Sequence, residues 1–346
     1  MKSILLVATG CLLLSCVAAP AVALDRVQLA RGRAVGGDVV RTTPLEVTVK
    51  AGANEETVAV NEILFIGYEG EPAQLASVRS SVRSGNYENV LRQIERIDQR
   101  KISRAEIQQD MQFYHALATA KLALRGAGDV REAGRLMQDF VSKYPDSYHY
   151  LTASEALGEL LVEVGAYDQA VDAFQKLESA PWPQAKIRAA VLAGRARVAK
   201  GTYPEALKSF EKALALAPEG DAATESQRLA AILGKATCLA ATDKYDEATT
   251  LVEDVIAKAD KEDADLHAQA YVTLGNCLRQ KPDGAKEALL AYLHVDVLYF
   301  NNPRAHAEAL FNLKELWTQL GKGERALDAA RVLEERYAGS AWAKAQ

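Results

Sequence analysis

The chain changes its hydrophobic pattern once, close to Glu71-Pro72. Before this point, apolar and polar residues alternate in short runs separated by turn residues, as in Val27/Leu29, Val47/Val49 and Val58/Val60. Alternation with a period of two is typical of half-buried β-strands. After this point, alanine-rich segments repeat their apolar residues every three or four positions, which is typical of amphipathic helices. The pattern therefore predicts about five short strands followed by an all-helical part.

One spacing recurs throughout the helical part, and it is clearest in residues 201–218, GTYPEALKSFEKALALAP. Gly201 is followed at fixed distances by an aromatic residue, by a small residue and by further apolar residues, namely Tyr203, Ala206, Phe210, Ala213 and Pro218. Complete or partial copies, such as GNYENVLRQIERI, GAYDQAVDAFQKL and DKYDEATTLVEDV, recur at intervals of roughly 40 residues. A fixed interval of this length predicts an array of helical repeats.

The repeated pattern resembles the tetratricopeptide repeat, a helix-turn-helix unit of about 34 residues. The resemblance covers residues 72–337, and it implies that small residues such as Gly158 and Ala170 lie where paired helices cross. A single pair cannot bury its own apolar stripe, so pairs must stack. We therefore expect a mostly α fold, a right-handed α-solenoid of about seven helix pairs at residues 71–346.

Residues 24–70 form a separate β module in this interpretation. The layout VxLxxGxxxxGxV, followed by two VxV runs and a final EIxxI, resembles a small Sm-like or SH3-like barrel. A module of this size buries little surface of its own, so we expect it to depend on the first helices for stability. We expect it to cap the solenoid, or to serve in docking or self-association, and not to bind RNA.

Residues 1–23 have the features of an export signal: one lysine, an apolar run from Ile4 to Leu14, and Ala21-Val22-Ala23 before the cleavage position. Two alternatives remain open. The segment could be retained as a membrane anchor, or Leu13-Leu14-Ser15-Cys16 could act as a bacterial lipobox with lipidation at Cys16. The membrane is thus expected as a partner only if Cys16 is lipidated.

Composition and motifs narrow the functional classes. The 346 residues are 49% hydrophobic and 25% charged, with a net charge of -5, which argues against non-specific nucleic-acid binding. There is no nucleophile elbow, HExxH pair or paired CxxC motif, so we expect no enzyme activity, no cofactor and no metal site. Cys238 and Cys277 lie in helical segments, where cysteine acts as a small buried hydrophobe; a disulfide between repeats is the alternative.

The resemblance also implies where a ligand binds, because in that family the first helix of each pair lines a concave groove. Carried over through the repeat alignment, the exposed groove positions include apolar or neutral residues such as Leu75, Val191 and Leu233. The polar and charged candidates for binding are Arg79, Arg83, Arg125, Glu155, Glu159, Arg188, Arg195, Asn276, Arg279 and Glu315. Their mixed charge fits selection of a protein or extended peptide by charge register.

Taken together, the sequence predicts an exported bacterial scaffold of the periplasm or cell envelope that binds a protein or peptide in its groove. The late stretch YFNNPRAHAEALFNLKELWTQLGKGERALDAARVLEERY is also similar to repeat proteins of the bacterial envelope. The alternative is a structural envelope component that self-assembles as a homo-oligomer or binds cell-wall polymer, possibly as a lipoprotein.

Overall fold

The computed structural model describes residues 24–345, so the predicted signal peptide and Cys16 lie outside the described residues. Five strands come first: β1 (Asp25–Leu29), β2 (Val35–Thr42), β3 (Glu46–Ala51), β4 (Asn54–Ala59) and β5 (Ile63–Gly67). They form one antiparallel sheet in the order β4-β3-β2-β1-β5, and a 3-10 turn, Val60–Glu62, links β4 to β5. The predicted β module of about five strands is therefore confirmed.

The alternating residues of the strands divide between the two faces of the sheet as expected. Val27, Val47 and Ile66 are completely buried on the core side. Gly37 allows β2 and β3 to approach, because a Cβ at this position would lie 2.5 Å from the carbonyl oxygen of Lys50. An irregularity in the pairing register also bends β2 between Val39 and Arg41. The closure of the sheet into an Sm-like or SH3-like barrel remains a prediction.

Seven antiparallel helix pairs follow the sheet, which confirms the predicted number. The first helices of the pairs are α1 (Gln74–Arg83), α3 (Ala105–Leu124), α5 (Tyr150–Glu163), α7 (Pro183–Lys200), α9 (Glu225–Ala240), α11 (Ala264–Arg279) and α13 (Pro303–Gln319). The second helices are α2 (Tyr87–Glu95), α4 (Val130–Lys143), α6 (Tyr167–Gln175), α8 (Tyr203–Leu216), α10 (Tyr245–Lys258), α12 (Ala285–Leu298) and α14 (Gly323–Tyr337). A short helix, α15 (Ala341–Lys344), ends the described chain.

The packing around Phe210 explains the recurring spacing. Ala206, Phe210 and Ala213 lie on the buried face of α8 and are completely inaccessible to solvent. The Phe210 ring lies between two glycines: a Cβ would come within 2.7 Å of the ring at Gly194 on α7 and within 2.1 Å at Gly234 on α9. Each aromatic residue of the repeat thus requires small residues on the helices beside it. Gly158 has the same role towards Phe174, and Gly275 towards Tyr292.

The helix pairs stack in two layers. Each second helix packs against its own first helix and against the first helix of the next pair. Successive first helices also contact one another, as α3 does with α5, and α7 with α9. The array then closes on itself, because a Cβ at Gly339, which follows α14, would lie 2.9 Å from the carbonyl oxygen of Gly126, which follows α3. The surface formed by the first helices therefore lies inside the turn of the solenoid.

The β module is joined to the first helices by one hydrophobic core and by buried ion pairs. The core extends without interruption from Val27 in β1 through Leu75 in α1 to Leu160 in α5. Asp25 accepts two hydrogen bonds of 2.6 Å from the guanidinium of Arg104 and two of 2.9 Å from the backbone N–H groups of Val39 and Glu69. These donors hold the pKa of Asp25 below its ordinary value despite its burial. Sheet and first helices thus form one structural unit.

Candidate functional site

Charged and polar side chains connect the first helices along their shared surface, which we call the inner face. Lys121 on α3 donates a hydrogen bond of 2.6 Å to Glu159 on α5. The neighbouring Glu155 accepts one of 2.6 Å from Nε of Arg188 on α7. The predicted residues Glu155, Glu159 and Arg188 are thus brought together. Each has a partner of opposite charge on a neighbouring first helix. They hold the pairs in register and leave little free charge in this part of the inner face.

The middle of the inner face is different, because α9 contributes only small or apolar residues there. Thr237 directs its hydroxyl to the carbonyl oxygen of Leu233 on the same helix, at 3.0 Å. The guanidinium of Arg195 on α7 reaches past α9 and donates a hydrogen bond to the side-chain carbonyl of Gln269 on α11. Within residues 24–345, Arg195 forms no ion pair with a carboxylate.

The electrostatic surroundings of Arg195 are positive. Burial, together with the nearby charges of Arg304 and Arg188, lowers the pKa of Arg195 to about 10, although the nearby carboxylate of Glu159 acts in the opposite direction. Arg304 lies in the first turn of α13, is exposed, and forms no ion pair within the described part of the chain. An enclosed guanidinium that faces other cations is costly in free energy, and an anionic group between Arg195 and Arg304 would relieve that cost.

The last pairs continue the inner face with hydrogen bonds between neutral and charged groups. Asn276 on α11 donates a hydrogen bond of 2.9 Å to a carboxylate oxygen of Glu308 on α13. It also accepts a hydrogen bond of 2.6 Å from the Tyr292 hydroxyl. Arg279 donates to the side-chain carbonyl of Asn312. Glu315 lies 3.3 Å from Lys314 and is partly exposed. The predicted residues Asn276, Arg279 and Glu315 therefore lie on this surface.

The predictions for the first pair need correction. Arg79 was expected in an exposed groove, but it is only 4% exposed, and it donates to Glu71 at 2.6 and 2.7 Å and to Asp110 at 3.2 Å. Arg83 is exposed but lines a cavity between α1 and the sheet. Both differences have one cause: the β module covers the face of α1 that the inner face would otherwise include.

Other predicted groove positions also differ in exposure. Leu75, Val191 and Leu233 are buried in the core, because their helices pack more closely than exposed positions would allow. The guanidinium carbon of Arg125, at the end of α3, lies 5.0 Å from the centre of the Tyr87 ring. The same side chain donates a hydrogen bond of 3.2 Å to the carbonyl oxygen of Gly85. It therefore points towards the turn between α1 and α2 rather than across the inner face. Whether any of these residues binds a ligand remains a prediction.

Several partners on the inner face were not among the predicted residues, although helical spacing contains the signal. Lys121 precedes Arg125 by four residues, and Glu308 precedes Glu315 by seven, so each shares a helix face with a predicted residue. Gln269 likewise precedes Asn276 by seven residues. These partners were missed because the repeat alignment supplied only two or three positions on each helix.

Other candidate chemistry is limited in the described chain. Residues 24–345 contain no group of three or more His, Cys, Asp or Glu side chains that could hold a metal ion. No helix in this range has both the length and the apolar character needed to cross a membrane. Cys238 and Cys277 are free and buried, and burial raises the pKa of each thiol to about 11, which makes them unreactive. Their prediction as small buried hydrophobes is confirmed.

Glu308 gives a prediction for pH dependence. Burial raises the pKa of its carboxyl above the ordinary value, so the folded state binds this proton more tightly than the unfolded state does. The free energy of unfolding should therefore fall as the pH rises through the raised pKa. Glu308→Gln keeps the acceptor for Asn276 and removes the charge. We expect this variant to have a higher Tm than the wild type at pH 7.5 and an equal Tm near pH 4.

The matched control for this experiment is Glu315→Gln, at a partly exposed position on the same helix. A partly exposed ion pair contributes little to stability, so its Tm should follow that of the wild type at both pH values. An unchanged Tm difference between Glu308→Gln and the wild type from pH 4 to pH 7.5 would refute the interpretation.

The comparisons with known proteins agree with this architecture. The family model of the tetratricopeptide repeat matches residues 121–186 and 191–264. No curated protein matches the chain. These matched residues cover α4, α5, α6, α8, α9 and α10 in full and all of α7 except residues 187–190. This is the part of the chain in which the recurring spacing is clearest.

Solved structures of similar fold extend the likeness to most of the chain. The apo form of the quorum sensor NprR from B. thuringiensis has a TM-score of 0.56 and 15% identity, over 76% of this chain and 74% of that one. A Rap protein complexed with Competence and Sporulation Factor also has a TM-score of 0.56 and 15% identity, over 78% and 76% of the two chains. The Rap conjugation gene regulator of the plasmid pLS20, in complex with the Phr* peptide, has a TM-score of 0.51 and 16% identity, over 77% and 75%. At these identities the likeness establishes a repeat solenoid of the same type.

Proposed function

We propose that this chain is an exported scaffold that holds an extended peptide, or a peptide segment of a partner protein, along its inner face. The observation that carries the proposal is Arg195, which is partly buried among the first helices, forms no ion pair with a carboxylate of the described chain and has the charge of Arg304 nearby. A carboxylate of the ligand would bind between these two guanidinium groups. Guanidinium and carboxylate form strong, charge-assisted hydrogen bonds in defined geometry.

The rest of the inner face supports this interpretation. The charged pairs on α3, α5 and α7 and the amide-containing pairs on α11 and α13 are held by neighbouring helices, so their positions are fixed before a ligand binds. A preorganised surface loses little side-chain entropy on binding. Alternating charge along it would penalise ligands whose charges are out of register.

The solved complexes also support a peptide ligand by analogy of fold. Rap proteins with this type of solenoid have been solved with Competence and Sporulation Factor and with the Phr* peptide. We do not transfer their ligands to this chain, because fold alone does not determine what a surface binds. We transfer only the class of function, a non-enzymatic scaffold for peptides or proteins.

Binding to an array of random 12-residue peptides tests the proposal. The wild type should select peptides with an acidic residue at a constant position, and Arg195→Glu should weaken their binding by about tenfold or more. The control is Lys208→Glu, an exposed residue on the second helix α8, which should select the same peptides as the wild type. If Arg195→Glu also selects these peptides with unchanged affinity, or if the wild type selects none, the proposed function is wrong.

Export to the periplasm or cell envelope is part of the proposal and rests on the sequence of residues 1–23. Cleavage after Ala23 would leave Leu24 as the first residue, directly before β1. Lipidation at Cys16 would instead leave a short tether between the lipid and the sheet. The two products differ in mass, so mass spectrometry of the mature chain distinguishes a soluble scaffold from an anchored one.

We further propose that the β module closes as a small Sm-like or SH3-like barrel that caps the array. The bend in β2 at Val39 and the 3-10 turn Val60–Glu62 support closure, since both change the direction of the chain sharply. A cap is needed because the apolar stripe of a terminal repeat is otherwise exposed to water. The continuous core between the sheet and α1 supports this role.

A further inference from the structure

A cavity of about 400 Å³ lies between the sheet and α1, away from the inner face. On one side, Arg26 from β1 and Phe65 from β5 project from the sheet face opposite to the buried Val27 and Ile66. On the other side, Arg79 and Arg83 project from the same face of α1, because they are one helical turn apart. The guanidinium carbons of Arg79 and Arg83 lie 5.2 and 5.9 Å from the centre of the Phe65 ring, and Arg26 is a third arginine in the cavity lining.

The charges in this cavity are only partly compensated. Glu71, which also lines it, neutralises Arg79 through two hydrogen bonds. Arg26 and Arg83 form no ion pair with any residue of the described chain. The cavity is thus positive in a protein whose net charge is -5. A positive cavity in a protein of negative net charge attracts an anionic ligand to that place on the surface.

Arg79 also lines the cavity, but it is held by the protein itself. It is only 4% exposed, and its hydrogen bonds to Glu71 and Asp110 fix its guanidinium in place. Its Nε–H has no hydrogen-bond partner and is shielded from solvent. The arginines of the cavity that are exposed to a ligand are therefore Arg26 and Arg83.

We infer that this cavity binds acidic side chains of an extended segment from a partner protein. Carboxylates pair with guanidinium groups in defined geometry, and Arg26, Arg79 and Arg83 surround the space such a group would occupy. The Phe65 ring, 5.2 Å from the guanidinium carbon of Arg79, offers apolar contact for the methylene groups of a glutamate.

This site is separate from the proposed peptide site on the inner face and does not depend on it. The cavity involves the β module and α1, whereas Arg195 and Arg304 belong to α7 and α13. Of the residues expected in the groove, Arg79 and Arg83 are thereby assigned to a second surface. A scaffold with two such surfaces could hold two segments at once.

The test uses the full chain carrying Arg195→Glu, so that the proposed inner-face site does not contribute, and fluorescently labelled hexaglutamate, with binding followed by fluorescence anisotropy. We expect binding that weakens with added salt, and a loss of about tenfold or more when the double substitution Arg26→Glu/Arg83→Glu is added. The charge-matched control adds Arg33→Glu/Arg96→Glu instead, which changes two exposed arginines that do not line the cavity. This control should bind hexaglutamate as the Arg195→Glu chain does.

Two results would overturn the inference. Hexaglutamate does not bind the Arg195→Glu chain, or it binds that chain equally with and without Arg26→Glu/Arg83→Glu. Binding of inorganic phosphate without binding of hexaglutamate would count against it as well, since the cavity would then accept small anions and not a peptide. Both substituted arginines are exposed, so we expect each variant to keep its fold. Circular dichroism of each variant checks this.

Discussion

Replacing Asp110 with alanine is expected to lower the free energy of unfolding by about 3 kcal/mol, the larger of the two effects predicted here. Asp110 is completely buried and accepts hydrogen bonds from Arg79 at 3.2 Å and from the Tyr148 hydroxyl at 3.1 Å. It also lies 3.0 Å from Nε2 of His149, whose ring stacks on Phe113. Its removal leaves all three polar groups without this partner in a buried environment.

The size of this effect follows from what remains after the substitution. Breaking a buried ion pair usually costs about 3–5 kcal/mol, since a charge is left uncompensated. Arg79 keeps its two bonds to Glu71, so we expect the lower end of that range. Asp110→Asn keeps one acceptor and should cost less than Asp110→Ala. The buried His149 has a lowered pKa, mainly because of burial, so it is neutral and adds no charge to be compensated.

Urea unfolding followed by circular dichroism measures the loss, and amide hydrogen exchange locates it. Because a repeat array need not unfold in one step, exchange should increase first in α1, in α3 and at the start of α5, which carry Asp110 and its partners Arg79 and His149. Asp139→Ala is the control, since Asp139 forms an exposed pair with Arg135 at 2.8 Å and its loss should change stability by less than about 0.5 kcal/mol. A loss below 1 kcal/mol in Asp110→Ala would mean that the buried network does not join sheet and helices.

The second prediction concerns the glycines around Phe210. Gly234→Ala is expected to lower the free energy of unfolding by about 1–3 kcal/mol, although alanine favours helix formation over glycine. The added Cβ would lie 2.1 Å from the Phe210 ring. The ring cannot move away from Gly234, because its opposite side already lies against Gly194, where a Cβ would come within 2.7 Å of the ring. Overpacking therefore outweighs the gain in helix propensity.

The chain offers a matched control in Gly134, on α4, where a Cβ would meet no atom within 4 Å. Gly134→Ala should stabilise the protein by about 0.5–1 kcal/mol, as expected for glycine in a helix interior. Thermal unfolding of both variants gives the comparison. If Gly234→Ala and Gly134→Ala shift the Tm in the same direction, Phe210 does not determine the spacing of the repeats. In the double variant Gly234→Ala/Phe210→Leu, the two losses should not add.

The inner face illustrates which parts of a site local reasoning can locate. Glu155, Glu159, Arg188, Arg195, Asn276, Arg279 and Glu315 were placed on this surface from the repeat alignment, and they lie there. What each one contacts was not predictable. Arg195 meets Gln269, 74 residues later, because the intervening α9 has small side chains on that face. Such a contact depends on how the pairs are stacked.

The glycine positions show the same limit. The recurring spacing relates the two helices of one pair, as Gly158 on α5 and Phe174 on α6 do, whereas Gly234 on α9 faces Phe210 of the preceding pair. A contact of this kind depends on the angle at which α8 approaches the next pair, which the spacing within one pair does not specify.

The sequence by itself determined the local structure: the change of pattern near Glu71, the strands, the seven helix pairs and the stripe formed by residues such as Ala206, Phe210 and Ala213. These features follow from the spacing of apolar residues over one or two helical turns, and spacing is a property of the sequence. The tertiary structure alone decided that the sheet covers α1, that Arg79 is buried, and that Gly126 meets Gly339. These contacts join residues far apart in the chain, so they depend on the sum of many small packing angles that no short stretch of sequence specifies.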